Sequence, residues 1–152
     1  MNIARSNESS AADTFDYAAA REHLQQKHAA LHAKRLALWQ QAHADAQAII
    51  EMIARSYDPQ QIIQWGSVLA PLHFSEASDI DLAVAGVDPV VFLQLLGDAE
   101  ALTDFLLDIL RWEEVSPAFQ KTILMKGKVV YAKDCDIAAQ GEITWLKQFM
   151  LV

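Results

Sequence analysis

The sequence is poor in cysteine, in basic residues and in long apolar runs. Its single cysteine, Cys135, excludes an internal disulfide, so we expect a reducing compartment, the cytoplasm. Lys and Arg number 12 against 20 Asp and Glu, and the net charge of -8 disfavours direct binding of DNA or RNA, because phosphate contacts need clustered basic residues. No apolar run reaches the roughly 18 residues of a membrane span, and the N-terminus lacks the apolar core of a signal peptide.

The remaining composition is that of a folded domain. Of the 152 residues, 53% are hydrophobic and 21% charged, which argues against a disordered chain. We expect residues 1–13 to form a flexible tail and residues 58–131 to form the core domain. Residues 132–152 are predicted to be an apolar tail that contacts a partner, because five large apolar residues fall within the last eight: Trp145, Leu146, Phe149, Met150 and Leu151.

Residues 14–57 are predicted to form one long helix or a helix pair, because neither proline nor glycine occurs between Asp16 and Ser56. The second half carries an apolar stripe at helical spacing, which should pack on the following domain: Trp39, Ala42, Ala46, Ile49 and Ile53. In the first half, Leu24, Leu31 and Leu38 recur every seven residues. That half either packs against another chain or lies on its own domain.

Short apolar runs after Asp58-Pro59 predict a mixed α/β (α+β) domain with a small β-sheet flanked by helices. The strands are expected at about 61–66, 79–84, 105–111 and 128–131, and one helix at about 89–101. Ser116-Pro117 should open a further helix that runs to about Lys126, since proline suits the first helical position.

Two carboxylates alternate in the second strand, within Asp79-Ile80-Asp81. Residues i and i+2 of a strand point to the same face, so Asp79 and Asp81 should project side by side. Carboxylates this close repel each other unless a cation lies between them. Hard oxygen ligands suit Mg²⁺, which also holds substrate phosphates. The pair is therefore predicted to bind metal.

Gly66-Ser67 ends the preceding strand, and eleven residues separate Ser67 from Asp79. A glycine lets the backbone approach an anion closely, and the serine offers an amide and a hydroxyl to a phosphate. These two residues are the predicted phosphate-binding site.

Asp108 interrupts the otherwise apolar strand that runs from Phe105 to Leu110. Because an unpaired buried carboxylate is costly, we expect it to have a partner. If its strand pairs beside the strand of Asp79 and Asp81, the three carboxylates complete a site for phosphoryl or nucleotidyl transfer. The alternative is a satisfied polar residue at a strand edge.

These residues resemble a known superfamily. Gly66-Ser67, eleven intervening residues, Asp79-Ile80-Asp81 and the later Asp108 look like the nucleotidyltransferases that include DNA polymerase beta and kanamycin nucleotidyltransferase. The small size and the segment from Asp108 to Tyr131 make the chain similar to the minimal nucleotidyltransferase (MNT) group, whose members are often antitoxins of HEPN ribonucleases. The resemblance covers about residues 45–131.

The resemblance implies a nucleotidyltransferase fold for the core and a role for each site residue. Asp79 and Asp81 would hold Mg²⁺, Asp108 would be the third metal ligand and candidate base, and Gly66 and Ser67 would bind the nucleotide phosphates. ATP would donate AMP, and the acceptor would be a tyrosine hydroxyl on a HEPN-type toxin.

Two other functions fit the same residues. One is a catalytically weak antitoxin that neutralises its toxin by contact, through the long helix and the apolar tail. The other is an adenylyltransferase for a small cationic molecule, which the acidic composition would attract.

Overall fold

The computed structural model describes residues 14–133. These residues form three α-helices and four β-strands, in the order α1 (Tyr17–Ser56), β1 (Gln61–Trp65), β2 (Ile80–Ala85), α2 (Pro89–Glu100), β3 (Leu107–Arg111), α3 (Pro117–Lys126) and β4 (Lys128–Ala132). Two short 3₁₀ turns, Gly66–Leu69 and Pro71–His73, follow β1, and a third, Trp112–Glu114, follows β3. The predicted fold class is confirmed: a small mixed sheet flanked by helices, after a long N-terminal helix.

The chain divides into two compact units, residues 1–33 and 34–152. In the first unit, the described residues are the start of α1, where the Asp16 carboxylate accepts hydrogen bonds from the backbone N–H groups of Ala18 and Ala19, both at 3.0 Å. This carboxylate satisfies amides that have no partner within the first helical turn. Leu24 and Leu31 are 56% and 47% exposed.

The other two helices begin where the sequence predicts, because each has a side-chain cap followed by proline. Asp88 accepts a hydrogen bond from the Val90 N–H at 2.9 Å before α2. Ser116 accepts one from the Phe119 N–H at 3.4 Å before α3. Proline costs nothing at the first helical position, where its missing N–H would have no partner.

The four strands form one sheet in the order β3-β2-β1-β4. Strand β1 pairs antiparallel with both β2 and β4, whereas β2 pairs in parallel with β3. The central strand β2 is buried along its whole length, and β3 lies at an edge. This topology places the end of β1 beside the starts of β2 and β3.

Each face of the sheet has its own core. On one face, the second half of α1 and α2 cover β1 and β2, and the predicted stripe on α1 is confirmed: Ala42, Ala46, Ile49 and Ile53 are fully buried, and Trp39 is partly buried against them. On the other face, Ile123 of α3 packs with Ile63 and Ala83. Because side chains alternate along β2, Asp81 shares the face of Ala83 and α3.

Strand β3 begins at Leu107, later than predicted. The backbone N–H of Phe105 donates to the Thr103 hydroxyl at 3.1 Å, which makes a local turn instead of a strand pair. The Phe105 ring packs edge-on to Phe74, with ring centres 5.9 Å apart. Residues 1–13, Cys135 and the apolar tail from 134 onward lie outside the described residues.

Candidate active site

Strand register brings two of the predicted carboxylates together. Asp81 of β2 and Asp108 of β3 are paired residues of the parallel ladder, so their side chains share one face of the sheet. Asp79 lies two residues before Asp81, immediately before β2 begins. The like charges of Asp79 and Asp108 both act on Asp81. The predicted pairing of the third strand beside the second therefore occurs.

Asp81 is the most perturbed of these groups. Its side chain is buried, with 6% of the residue exposed. Burial, together with the negative charges of Asp79 and Asp108, raises the pKa of Asp81 from 3.8 to about 6, and the hydrogen bond from the Ser67 backbone N–H to the ionised form opposes the rise. A carboxylate held in this environment gains from a nearby cation.

Gly66 leaves β1 with a φ of +76°, a conformation that side chains disfavour. A Cβ built on Gly66 would lie 2.0 Å from Oδ2 of Asp81. The glycine thus permits a close approach between backbone and anion, as its position predicts, but the anion in this contact is the carboxylate of Asp81. Contact of Gly66 and Ser67 with nucleotide phosphates stays a prediction.

The expected burial of Asp108 is wrong. Its side chain is exposed, because β3 is an edge strand and its outer side is open. The cost of a buried charge therefore does not explain this residue. Its register opposite Asp81 does place it where a third carboxylate of the site would be needed.

The carboxylates are of the type that binds magnesium, but their side chains are not arranged around one ion. Within residues 14–133, no group of three His, Cys, Asp or Glu side chains is arranged to hold one ion. Carboxylate oxygens are the ligands that Mg²⁺ prefers, and the pKa of Asp81 is raised by burial and by repulsion from Asp79 and Asp108, both of which a divalent cation would offset. The residues fit the cation in ligand type and charge.

Trp65 is a neighbour of Asp81 that the sequence does not reveal, and it packs against a second aromatic residue, Phe119. Trp65 is the β1 residue paired with Asp81, so its side chain lies on the same face of the sheet. Its ring meets Phe119 of α3 edge-on, with ring centres 5.3 Å apart. Alternation along β1 places Trp65 on the same face as Ile63, but the pairing of β1 with β2 is needed to place it opposite Asp81.

A family model described as "Polymerase beta, Nucleotidyltransferase" matches residues 47–136. No curated protein matches the chain.

Solved structures with a similar fold come from toxin–antitoxin complexes. One, a toxin–antitoxin with AMP-PNP, has a TM-score of 0.51 at 18% identity, over 70% of this chain and 84% of the other. An MntA-HepT toxin–antitoxin has a TM-score of 0.47 at 17% identity, over 71% and 83%. A mutant MntA-HpeT toxin–antitoxin has 0.46 at 22% identity, over 58% and 72%.

None of the helices in residues 14–133 has the length and apolar character to cross a bilayer.

Proposed function

The chain belongs to the polymerase beta nucleotidyltransferase family, and we propose that it transfers AMP from ATP to a tyrosine hydroxyl of a HEPN ribonuclease toxin and so acts as the antitoxin. The observation that carries this proposal is the register of Asp81 opposite Asp108, with Gly66 packed against Asp81. This arrangement supports the proposal, because Asp81 and Asp108 lie opposite each other on neighbouring strands and the Ser67 amide contacts Asp81.

The proposed reaction is an in-line substitution at the α-phosphorus of ATP. The acceptor oxygen forms a bond to that phosphorus, the bond from the α-phosphorus to the bridging oxygen breaks, and pyrophosphate leaves. The hydroxyl proton passes to a carboxylate, for which we assign Asp108, because its exposed position is accessible to a large acceptor. The Gly66-Ser67 backbone would hold the phosphates.

Asp79 and Asp81, with Asp108 as third ligand, would hold Mg²⁺. When bound, the cation would neutralise charge on the phosphates and on the departing pyrophosphate. The residues themselves contribute position: Asp81 is fixed by burial and by the Ser67 N–H, and Asp79 precedes it by two residues.

The toxin partner is proposed from the similarity of residues 45–131 to the MNT group. The shared fold of a toxin–antitoxin with AMP-PNP is consistent with nucleotide use in such a pair. The net charge of -8 favours a protein or nucleotide partner over direct contact with nucleic acid. We propose the cytoplasm as the location, because the single cysteine suits a reducing compartment.

One feature of residues 68–78 favours a second function, in which the chain neutralises the toxin by contact alone. Residues 68–78 contain neither Lys nor Arg, so the segment after Ser67 brings no positive charge to a triphosphate. The exposed Leu24 and Leu31 of α1 would then be part of a binding surface.

One experiment separates the two functions. The full chain is incubated with Mg²⁺, ATP labelled on the α-phosphate, and a HEPN-type ribonuclease as the proposed partner. We expect label on a toxin tyrosine and loss of its ribonuclease activity, both dependent on ATP. Inhibition of the ribonuclease without ATP and without label would replace enzymatic transfer by contact neutralisation.

A further inference from the structure

A hydrogen bond joins α1 to the turn that follows β1. The indole N–H of Trp39 donates to the backbone carbonyl of Val68, with 2.7 Å between Nε1 and the oxygen. Val68 is 1% exposed and directly follows Ser67. A side chain 29 residues earlier in the sequence therefore holds the backbone next to the predicted phosphate-binding residue.

The turn is also held by the contact of Gly66 with Asp81 and by the Val68 side chain in the core, but neither of these fixes the Val68 carbonyl. Gly66–Leu69 is a single 3₁₀ turn, and the Ala70 N–H donates to the Ser67 carbonyl at 3.0 Å. Lys34 and Glu76 pair at 2.6 Å farther along, but both side chains are mostly exposed. Solvent screens such a pair, whereas the Trp39 bond is partly buried and leaves a desolvated carbonyl if it breaks.

We propose that Trp39 is a positioning residue for the turn Gly66–Leu69. Its indole N–H fixes the Val68 carbonyl and thereby holds Ser67 where the phosphates of the nucleotide bind. The nucleotide part of this inference rests on the proposed function. The Val68 carbonyl belongs to the planar peptide group that links Val68 to Leu69, so its release lets that plane rotate and lets Val68, with Ser67 bonded to it, shift. Ser67 also donates its N–H to Asp81, so the same backbone segment serves both the loop and the carboxylates.

Trp39→Phe removes the donor together with part of the indole ring that packs on the core. Phenylalanine keeps an aromatic ring beside His43, whose ring centre lies 5.0 Å from that of Trp39, but it removes the N–H. We expect ATP to bind the full chain about tenfold more weakly, the ratio that corresponds to about 1.4 kcal/mol and lies within the cost of an unsatisfied buried carbonyl. The KM for ATP should rise more than kcat falls. Amide hydrogen exchange should accelerate in residues 66–70.

Thr103→Val is the matched control. The Thr103 hydroxyl donates to Oδ2 of Asp45 at 2.8 Å, so it too joins α1 to the core by a partly buried hydrogen bond. Valine preserves the shape of the side chain without the hydroxyl. We expect this variant to lower the melting temperature yet leave ATP affinity and exchange in residues 66–70 unchanged.

Two results would overturn the role of Trp39. The first is amide hydrogen exchange in residues 66–70 of Trp39→Phe that equals the exchange of wild type. The second is that Trp39→Phe and Thr103→Val lose the same stability and also lose the same ATP affinity. A wild-type chain that fails to bind ATP refutes the proposed function instead. In that case, amide hydrogen exchange in residues 66–70, a measurement that needs no nucleotide, still shows whether Trp39 holds the turn.

Discussion

Gly66 lies directly against the carboxylate of Asp81, so closely that no side chain fits between them. A Cβ on Gly66 would stand 2.0 Å from Oδ2 and 2.9 Å from Cγ of Asp81. The turn after β1 and the acidic strand β2 are thereby packed as one unit. The glycine of the Gly-Ser pair is needed to shape the carboxylate site, independently of any contact with a nucleotide.

Gly66→Ala should displace Asp81 and reduce AMP transfer by about 100-fold or more, the range for loss of a positioned acid or base group. The φ of +76° adds backbone strain of roughly 1 kcal/mol for alanine. Initial rates with labelled ATP and thermal unfolding measure the two effects.

Gly86→Ala is the control for strain. Its φ is +82°, and a Cβ there would meet Cγ and Cβ of Gln60 at 2.5 and 2.9 Å, so this position is strained and crowded too, but at the opposite end of β2 from Asp81. It should lose similar stability and keep its transfer rate. Equal rates for the two variants would contradict a specific role of the Gly66–Asp81 contact.

Replacing both Asp79 and Asp81 with asparagine should abolish Mg²⁺-dependent transfer of labelled AMP while the fold remains. Asparagine keeps the shape of each side chain but removes the charge that a cation needs. Circular dichroism checks the fold, and Glu51→Gln, an exposed acid on α1, serves as the control for lost charge. Undiminished transfer by the double variant would refute the site. Protection from the toxin by a double variant that transfers no AMP would favour neutralisation by contact.

Asp108→Asn should lower the transfer rate by at least about 100-fold if Asp108 is the base or a metal ligand. Because the side chain is exposed, stability should stay within about 0.5 kcal/mol of wild type. Rates at saturating ATP and urea unfolding of the same preparation test this. A variant that loses stability but keeps its rate per folded molecule would support a structural role.

The pattern of apolar residues was sufficient to predict the helices and the sheet. The stripe on α1 and the Ser116-Pro117 start of α3 are local signals, and both are confirmed. The apolar run around Asp108 was misleading, because a run of this kind does not reveal that β3 is an edge strand with one side open.

Contacts between segments that are far apart in the chain could not be predicted from the sequence. The bond from Trp39 to Val68 spans 29 residues, and Trp39 also fits the apolar stripe, so nothing in the spacing marks its N–H as a donor. The approach of Gly66 to Asp81 likewise depends on how β1 pairs with β2. Alternation could predict which residues share a face of a strand, whereas the distance across strands required the structure.

Truncation after Gln140 should weaken toxin binding and leave ATP and Mg²⁺ binding unchanged. The removed segment contains Trp145, Leu146 and Phe149, which lie outside the described residues, and its apolar content predicts a partner contact. Pull-down of the co-expressed toxin and calorimetry with ATP measure the two properties. If the truncated chain binds the toxin and protects against it as well as the full chain does, the removed residues are not the partner contact.

The metal-free protein should lose stability as pH rises from about 4 to about 6, and Asp81→Asn should remove this loss. Burial, with the charges of Asp79 and Asp108, raises the pKa of Asp81 from 3.8 to about 6. A raised pKa means that the folded state binds the proton more tightly than the unfolded state does. The contribution of protonated Asp81 is therefore fully present below about pH 4 and is lost as pH passes through about 6.

Melting temperatures in EDTA between pH 3.5 and 8.5 test that dependence. Asp81→Asn and wild type should coincide at the acid end, and at pH 8 the variant should melt roughly 2–4 °C higher, the shift expected for about 1 kcal/mol at this chain length. Adding Mg²⁺ at pH 8 should raise the melting temperature of wild type alone, because only its carboxylate cluster gains from the cation. Parallel curves over the whole range would mean that Asp81 titrates alike in the folded and unfolded chain, contrary to its burial beside Asp79 and Asp108.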